Sequence, residues 1–226
     1  MKFRALWIGL AAAAAIAFSA HASDAGGGEP VGDQQSPVNI VGTIPAKIKP
    51  FVVDYRSRDF DVTNDGHTIK VTPVGGTNTV AYDGKVYTLS QFHFHHKSEH
   101  EVNGVQTPME LHFVNTLDGD AVVLGVFLDT GAANAAFKAI MDAAPASPGP
   151  SNRVRIDPNT LLPKDRHYWT YMGSLTTPPY SQIVRWIVLR HGVKVDPASI
   201  DKFVALYPDS AREVQPLDRR FILSGP

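Results

Sequence analysis

Gln91-Phe-His-Phe-His95 and Met109-Glu-Leu-His112 alternate polar and apolar side chains, a pattern that a β-strand sorts onto two opposite faces. In that conformation His93 and His95 project to the same side, about 6.6 Å apart along the strand. Asn103-Gly104, lying between the two runs, is the dipeptide most favoured in a two-residue type I′ hairpin turn. If that turn sets the register, His95 stands directly opposite His112, with Cβ atoms about 4.5–5.5 Å apart. Lys97-Ser98-Glu99 and Pro108 fall inside this ladder and are expected to disturb it. The three imidazoles then form a compact triangle able to converge on one ion. Any single histidine is better explained as bonded to a neighbouring carbonyl. Three converging ones, with Glu99 and Glu110 at close offsets, favour a metal. A structural zinc site is closed by four protein ligands, whereas three histidines leave a fourth position for water.

The 226-residue chain has no cysteine, so disulfides, thiolate metal sites and cysteine nucleophiles are excluded. Lys2 and Arg4 precede an apolar run over 5–18, and Ala20-His21-Ala22 has the small-x-small form of a cleavage site. Residues 1–22 are therefore expected to be a cleaved signal peptide, too short to anchor the chain in a membrane, and the mature protein to be periplasmic. The 21 basic and 22 acidic residues nearly balance, and loss of Lys2 and Arg4 leaves a mildly acidic chain. That is no footprint for nucleic acid or an anionic membrane.

Residues 23–34 are rich in glycine and polar side chains and read as a flexible leader; 35–226 reads as one domain. Short strands are predicted over 51–55, 60–63, 67–74 and 86–89, punctuated by Asp65-Gly66, Gly75-Gly76 and Asp83-Gly84. The apolar runs 121–128 and 183–189 are expected to be central strands covered on both sides. Helices are predicted over 132–144 and from Asp196-Pro197, the latter burying Ile200, Phe203, Val204 and Tyr207. The fold class is mainly β (α+β): one large, twisted, mostly antiparallel sheet with a few peripheral helices.

Further blocks accompany the histidines: Gln35-Ser-Pro-Val-Asn-Ile40, Asn64-Asp-Gly-His67, Tyr168-Trp-Thr-Tyr171, Gly173-Ser-Leu-Thr-Thr-Pro-Pro179, Gln215-Pro-Leu217 and Arg220. In order and spacing they resemble the α-class carbonic anhydrases over nearly all of the mature chain. The resemblance implies a sheet of about ten strands, Zn²⁺ as cofactor, and reversible hydration of CO₂ to bicarbonate by zinc-hydroxide attack. It makes His93, His95 and His112 the zinc ligands, oriented by Gln91, Glu110 and the main-chain carbonyl of Ser210. His100 and Tyr171, with Gln35, belong to the supporting network. Thr176 and Glu99 become the gate beside the metal, and Val114, Val123, Leu175, Thr176, Thr177, Val184 and Trp186 the substrate pocket. A zinc-bound water has a pKa of about 7, a value established for carbonic anhydrases themselves. An acid of that strength gives its proton to bare water at only on the order of 10³ s⁻¹ when proton return is diffusion-limited. Faster turnover needs a nearby buffer group, and His67 matches the family's shuttle position. His96 points away from His93 and His95 and is rejected as a ligand.

The chain departs from that family in two places. Its start before Gln35 is short and lacks an aromatic segment, and Tyr180 stands where exported relatives usually carry a disulfide cysteine. The missing disulfide forfeits about 2–4 kcal/mol, for which a homodimer interface is one expected compensation. The alternative to an enzyme is a non-catalytic or zinc-buffering periplasmic protein on the same scaffold.

Overall fold

The computed structural model describes residues 32–225; the expected signal peptide, 1–22, and the leader up to residue 31 lie outside the described residues. The strands are β1 Asn39–Ile40, β2 Ile44–Pro45, β3 Val52–Asp54, β4 Arg58–Asn64, β5 Ile69–Pro73, β6 Thr79–Tyr82, β7 Lys85–His95, β8 Glu101–Val102, β9 Met109–Leu117 and β10 Asp120–Thr130. Helix α1 Ala135–Ala143 follows, then β11 Asn152–Ile156, β12 Tyr168–Gly173, β13 Val184–Leu189, β14 Val193–Val195, α2 Pro197–Leu206 and β15 Leu223–Gly225. Thirteen strands form one sheet whose main path runs β11-β4-β5-β7-β9-β10-β13-β12-β15-β2. Most neighbours are antiparallel; β13 and β14 run parallel to β10, and β2 parallel to β15. The expected sheet is therefore present, with three strands beyond its ten-strand path.

A β-bulge between Leu89 and Gln91 decides which side chains of β7 face where. Before it Tyr87 and Leu89 point into the main core; after it Phe92 and Phe94 do, both fully buried. Gln91, His93 and His95 are thereby handed to the opposite face. On the core side Phe92 packs against Phe60, Phe94 and Phe113 with ring centroids 5.6, 6.1 and 5.0 Å away. Both helices cover that face. Asn134 caps α1 by accepting from the N–H groups of Ala136 and Phe137, so the helix starts later than the predicted residue 132. Asp196 caps α2, with Pro197 in its first turn as expected. A second, smaller core of Val123, Val184, Trp186, Val188 and Tyr171 lies on the histidine face.

Two local expectations need correction. Asn103 and Gly104 do form a tight turn with positive φ, closed by a Val102–Val105 bridge, but that turn does not set the ladder. His112 is opposite His93, and His95 is opposite Glu110. The reason lies in Glu99, His100 and Glu101, which stand against Gln106 alone between the Val102–Val105 bridge and the Ser98 N–H to Thr107 carbonyl bond of 3.0 Å. The extra residues shift the register, and Ser98 Oγ braces them by donating to the His100 carbonyl at 2.8 Å. The second correction concerns β5, which begins at Ile69 and leaves His67 in the preceding turn. There Asp65 Oδ1 accepts from the N–H groups of His67 and Thr68, each at 3.0 Å, and keeps them out of the ladder.

Phe92 sits where both sheet neighbours and the core meet. Replacing it with alanine is expected to cost about 3–5 kcal/mol, read as a lower urea midpoint. Val52→Ala, at a 62 % exposed position of β3, is the control and should stay within about 0.5 kcal/mol of the parent.

Candidate metal centre

His93 and His95 come from β7 and His112 from β9, with ring centroids 4.9, 5.4 and 4.7 Å apart around the triangle. Each ring has one nitrogen tied down. His93 Nδ1 meets Gln91 Oε1 at 2.9 Å, His95 Nδ1 meets the Ser210 carbonyl at 2.9 Å, and His112 Nε2 meets Glu110 Oε1 at 3.0 Å. Those partners can only accept, so each tied nitrogen carries the proton and the other carries a lone pair. The free atoms are Nε2 of His93 and His95 and Nδ1 of His112. Nε2 of His95 is buried with no hydrogen-bond partner, which is costly for a polar atom unless something binds there.

The donor set fits a zinc-sized cation. Three ligand nitrogens of this triad lie within 4.8 Å of one another, and a tetrahedral Zn–N site needs them only about 3.4 Å apart. Burial first, and the neighbouring imidazoles with it, pushes His93 well below the ordinary histidine value. Burial likewise lowers His95 and His112, so all three are neutral, ligand-ready bases at neutral pH. A second cluster, His100, Glu110 and His112, is equally compact but already satisfied. Glu110 Oε1 accepts from His100 Nδ1 at 2.8 Å as well as from His112, and Oε2 accepts from the His100 N–H at 2.8 Å. Burial alone would raise Glu110, yet electrostatic attraction to the His100 and His112 rings, together with their hydrogen bonds, holds it well below the usual carboxylate range. His100 passes the network on through Nε2 to the Tyr171 hydroxyl at 2.7 Å, which donates to Ser36 Oγ at 3.0 Å.

Glu99 is buried beside the triad, its Oε1 accepting from the Arg212 N–H at 2.9 Å. Burial pushes it up to about 7, against the pull of His112, Arg212 and the Thr176 hydroxyl. The Thr176 hydroxyl lies beside this carboxyl, whose Oε2 is buried without a hydrogen-bond partner. A divalent cation among the imidazoles would be the largest local charge and would favour the ionised carboxylate. Val114, Val123 and Trp186 form a cross-strand row over β9, β10 and β13, one step along from His112, and the Trp186 ring lies 4.8 Å from that of His112. Val184 is buried in the same cluster and Leu175 packs against it. Thr177 is exposed, its carbonyl closing a turn with the Tyr180 N–H. His67 is exposed, three residues before Lys70, which is paired across the ladder with His93. His96 is turned away from the triad, its Nδ1 2.7 Å from the Pro208 carbonyl.

A largely buried triangle of neutral imidazoles with outer partners on every ring makes a candidate three-histidine metal centre on one face of a twisted sheet. A family model described as eukaryotic-type carbonic anhydrase matches residues 25–224. A carbonic anhydrase of Neisseria gonorrhoeae is 39% identical over 198 residues, covering 85% of this chain and 77% of that protein. The α-carbonic anhydrase of Thermovibrio ammonificans, solved with the inhibitor sulfanilamide, superposes with a TM-score of 0.82 at 43% identity, covering 85% and 88% of the two chains. That of Photobacterium profundum gives 0.81 at 37%, covering 85% and 90%. The chain belongs to the α-type carbonic anhydrase family, whose reaction interconverts CO₂ and bicarbonate.

Sequence reasoning missed Arg212, Ser36 and Ser174. Arg212 Nη1 donates to Gln35 Oε1 at 3.0 Å and to the Ser36 carbonyl at 2.7 Å, while Ser36 and Ser174 exchange two hydrogen bonds. The serines lie within recognised blocks, but nothing local marks Arg212.

The lowered imidazoles carry a pH signature. In acid the unfolded chain takes up protons at His93, His95 and His112 that the folded chain refuses, so this stability is full above about 6.5 and declines below it. Glu99 acts the other way, because its folded form keeps a proton lost by the unfolded chain between the usual 4.5 and about 7. With three imidazoles against one carboxyl, the chelator-treated protein is expected to lose urea resistance as pH falls from about 7 to about 5. A midpoint that rises or stays level over that range contradicts the assignment.

Proposed function

We propose that this enzyme catalyses reversible CO₂ hydration at a zinc ion held by His93, His95 and His112, with His67 as the proton shuttle. The observation that carries the reading is the set of three unprotonated ring nitrogens converging from two strands, each fixed by a partner on its far side. Zinc in that position supplies the Lewis acidity that brings the pKa of a coordinated water to about 7, a value known for this enzyme class. Gln91, the Ser210 carbonyl and Glu110 hold the imidazoles so that they need not reorganise. Ionised Glu99 can only accept, so it takes the single hydroxyl proton of Thr176 and leaves that oxygen facing the centre as an acceptor. Val114, Val123, Leu175, Val184 and Trp186 give linear, apolar CO₂ a dry wall, with Thr177 at its outer edge. His67 accepts the departing proton at its ring and returns it to buffer.

Stopped-flow CO₂ hydration tests this reading. Zinc-loaded protein should exceed the buffer rate, and a chelator should abolish the excess. His67→Ala should lower kcat several-fold, spare kcat/KM, and be rescued by imidazole buffer. A zinc-loaded protein no faster than buffer would instead identify a non-catalytic or zinc-storing member of the fold. The periplasmic location rests on the pattern of residues 1–22 alone, and N-terminal sequencing of the exported chain should begin at Ser23.

A further inference from the structure

Gly125 lies in the interior of β10, a place where glycine usually weakens a strand. Its backbone is ordinary extended chain, so no left-handed conformation calls for it. What does call for it is space. A Cβ built there would stand 2.8 Å from Glu110 Oε1, while its next neighbours, the Val188 methyls, are at a comfortable 3.6 and 3.7 Å. A carboxylate at the end of a flexible side chain can normally swing away. This one cannot do so freely, because Glu110 is fully buried and its two oxygens accept from His100 Nδ1, the His100 N–H and His112 Nε2. Gly125 is also the residue paired with His112 across the β9–β10 ladder, which puts the empty space directly beside the ligand and its partner.

We propose that Gly125 is a positioning residue for the metal centre: its missing side chain admits the Glu110 carboxylate to the spot where it fixes the His112 ring. This role presupposes the zinc reading above. A methyl at this position leaves the strand backbone at ease but pushes Oε1 out of line with Nε2 of His112, freeing the ring to rotate its metal-facing Nδ1 away. Loss of such outer partners typically costs about 10–100-fold in metal affinity.

The test is Zn²⁺ titration against a competing chelator for the parent, Gly125→Ala, Glu110→Ala and the double variant. Gly125→Ala should bind zinc about 10–100-fold more weakly than the parent. Once Glu110→Ala has emptied the space, adding Gly125→Ala should change affinity by less than about twofold, since residues acting through one another do not add. In metal-free protein the hydrogen-bonded Nε2–H proton of His112, seen by NMR, should move upfield in Gly125→Ala. Parent-like affinity and an unmoved proton in Gly125→Ala, or an equal loss in both backgrounds, overturns the proposal. If Gly125→Ala does not fold, recovery of a folded chain in the Glu110→Ala background assigns the conflict to that carboxylate, and failure there overturns it. A parent that binds no zinc defeats the zinc reading itself, a result distinct from all of these.

Discussion

The bulge between Leu89 and Gln91 reverses the facing of everything that follows it in β7, and the histidine triangle depends on that reversal. A strand offers its two faces alternately, so without the extra residue the positions of Gln91, His93 and His95 would continue the inward set begun by Tyr87 and Leu89. Imidazoles would then enter a cluster that now holds Phe60, Phe92, Phe94 and Phe113. Burying each unpaired polar ring there would cost on the order of 1–3 kcal/mol. With the bulge, the same strand puts phenylalanines under the helices and histidines over the smaller core. The packing of one face fixes the strand rigidly enough for the other to hold ligands. The aromatic core and the site are thus two outcomes of one register.

Glu110 carries the electrostatic burden of the arrangement. An ionised carboxylate wholly removed from water faces a desolvation cost of several kcal/mol unless its lone pairs are met. Here two imidazole N–H groups and one main-chain N–H meet them, and the charge is shared between His100 and His112. His112 consequently presents Nδ1 to the centre, whereas His93 and His95, anchored at Nδ1, present Nε2. The asymmetry follows from where the acceptors stand. A strand neighbour two residues away on the same face reaches the Nε2 end of His112 and the Nδ1 end of His93.

Much of this could be read from the chain because it is local. Asp196-Pro197 announces a helix start by a cap that needs only the next turn, and alternation in Gln91–His95 reveals a strand with two chemistries. The register could not be read the same way. Asn103-Gly104 makes the turn its composition demands, yet Glu99, His100 and Glu101 are accommodated by bonds from Ser98 to Thr107 and from His100 to Glu110. Those depend on residues that come later in the chain and in a different element. Helix α1 shows a milder case: alanines at 132 and 133 carry helical propensity, but the side chain able to cap is Asn134. Arg212 lay beyond local inference altogether, since its role is to join segments more than a hundred residues apart.

That joining explains how a stretch with no regular structure can serve as part of the site. After α2 the chain runs without helix or strand to β15, and its backbone polar groups must find partners elsewhere. They find them at the end of β7 and its neighbours. The Ser210 N–H donates to the His96 carbonyl at 2.9 Å, Ser210 Oγ accepts from the His96 N–H, and the Ser210 carbonyl meets His95. Two residues on, Arg212 binds Glu99 through its backbone and Gln35 and Ser36 through its side chain. Its guanidinium also lies 3.8 Å over the ring of Tyr180, the residue standing where the resemblance leads one to expect a cysteine. Such a contact is worth about 0.5–2 kcal/mol, less than a disulfide, but it ties the loop bearing Thr176 to the segment bearing Ser210. Every one of these bonds is non-local, so the segment's order is inherited from the sheet. Anything that loosens the end of β7 therefore loosens His95, Glu99 and the Thr176 loop together.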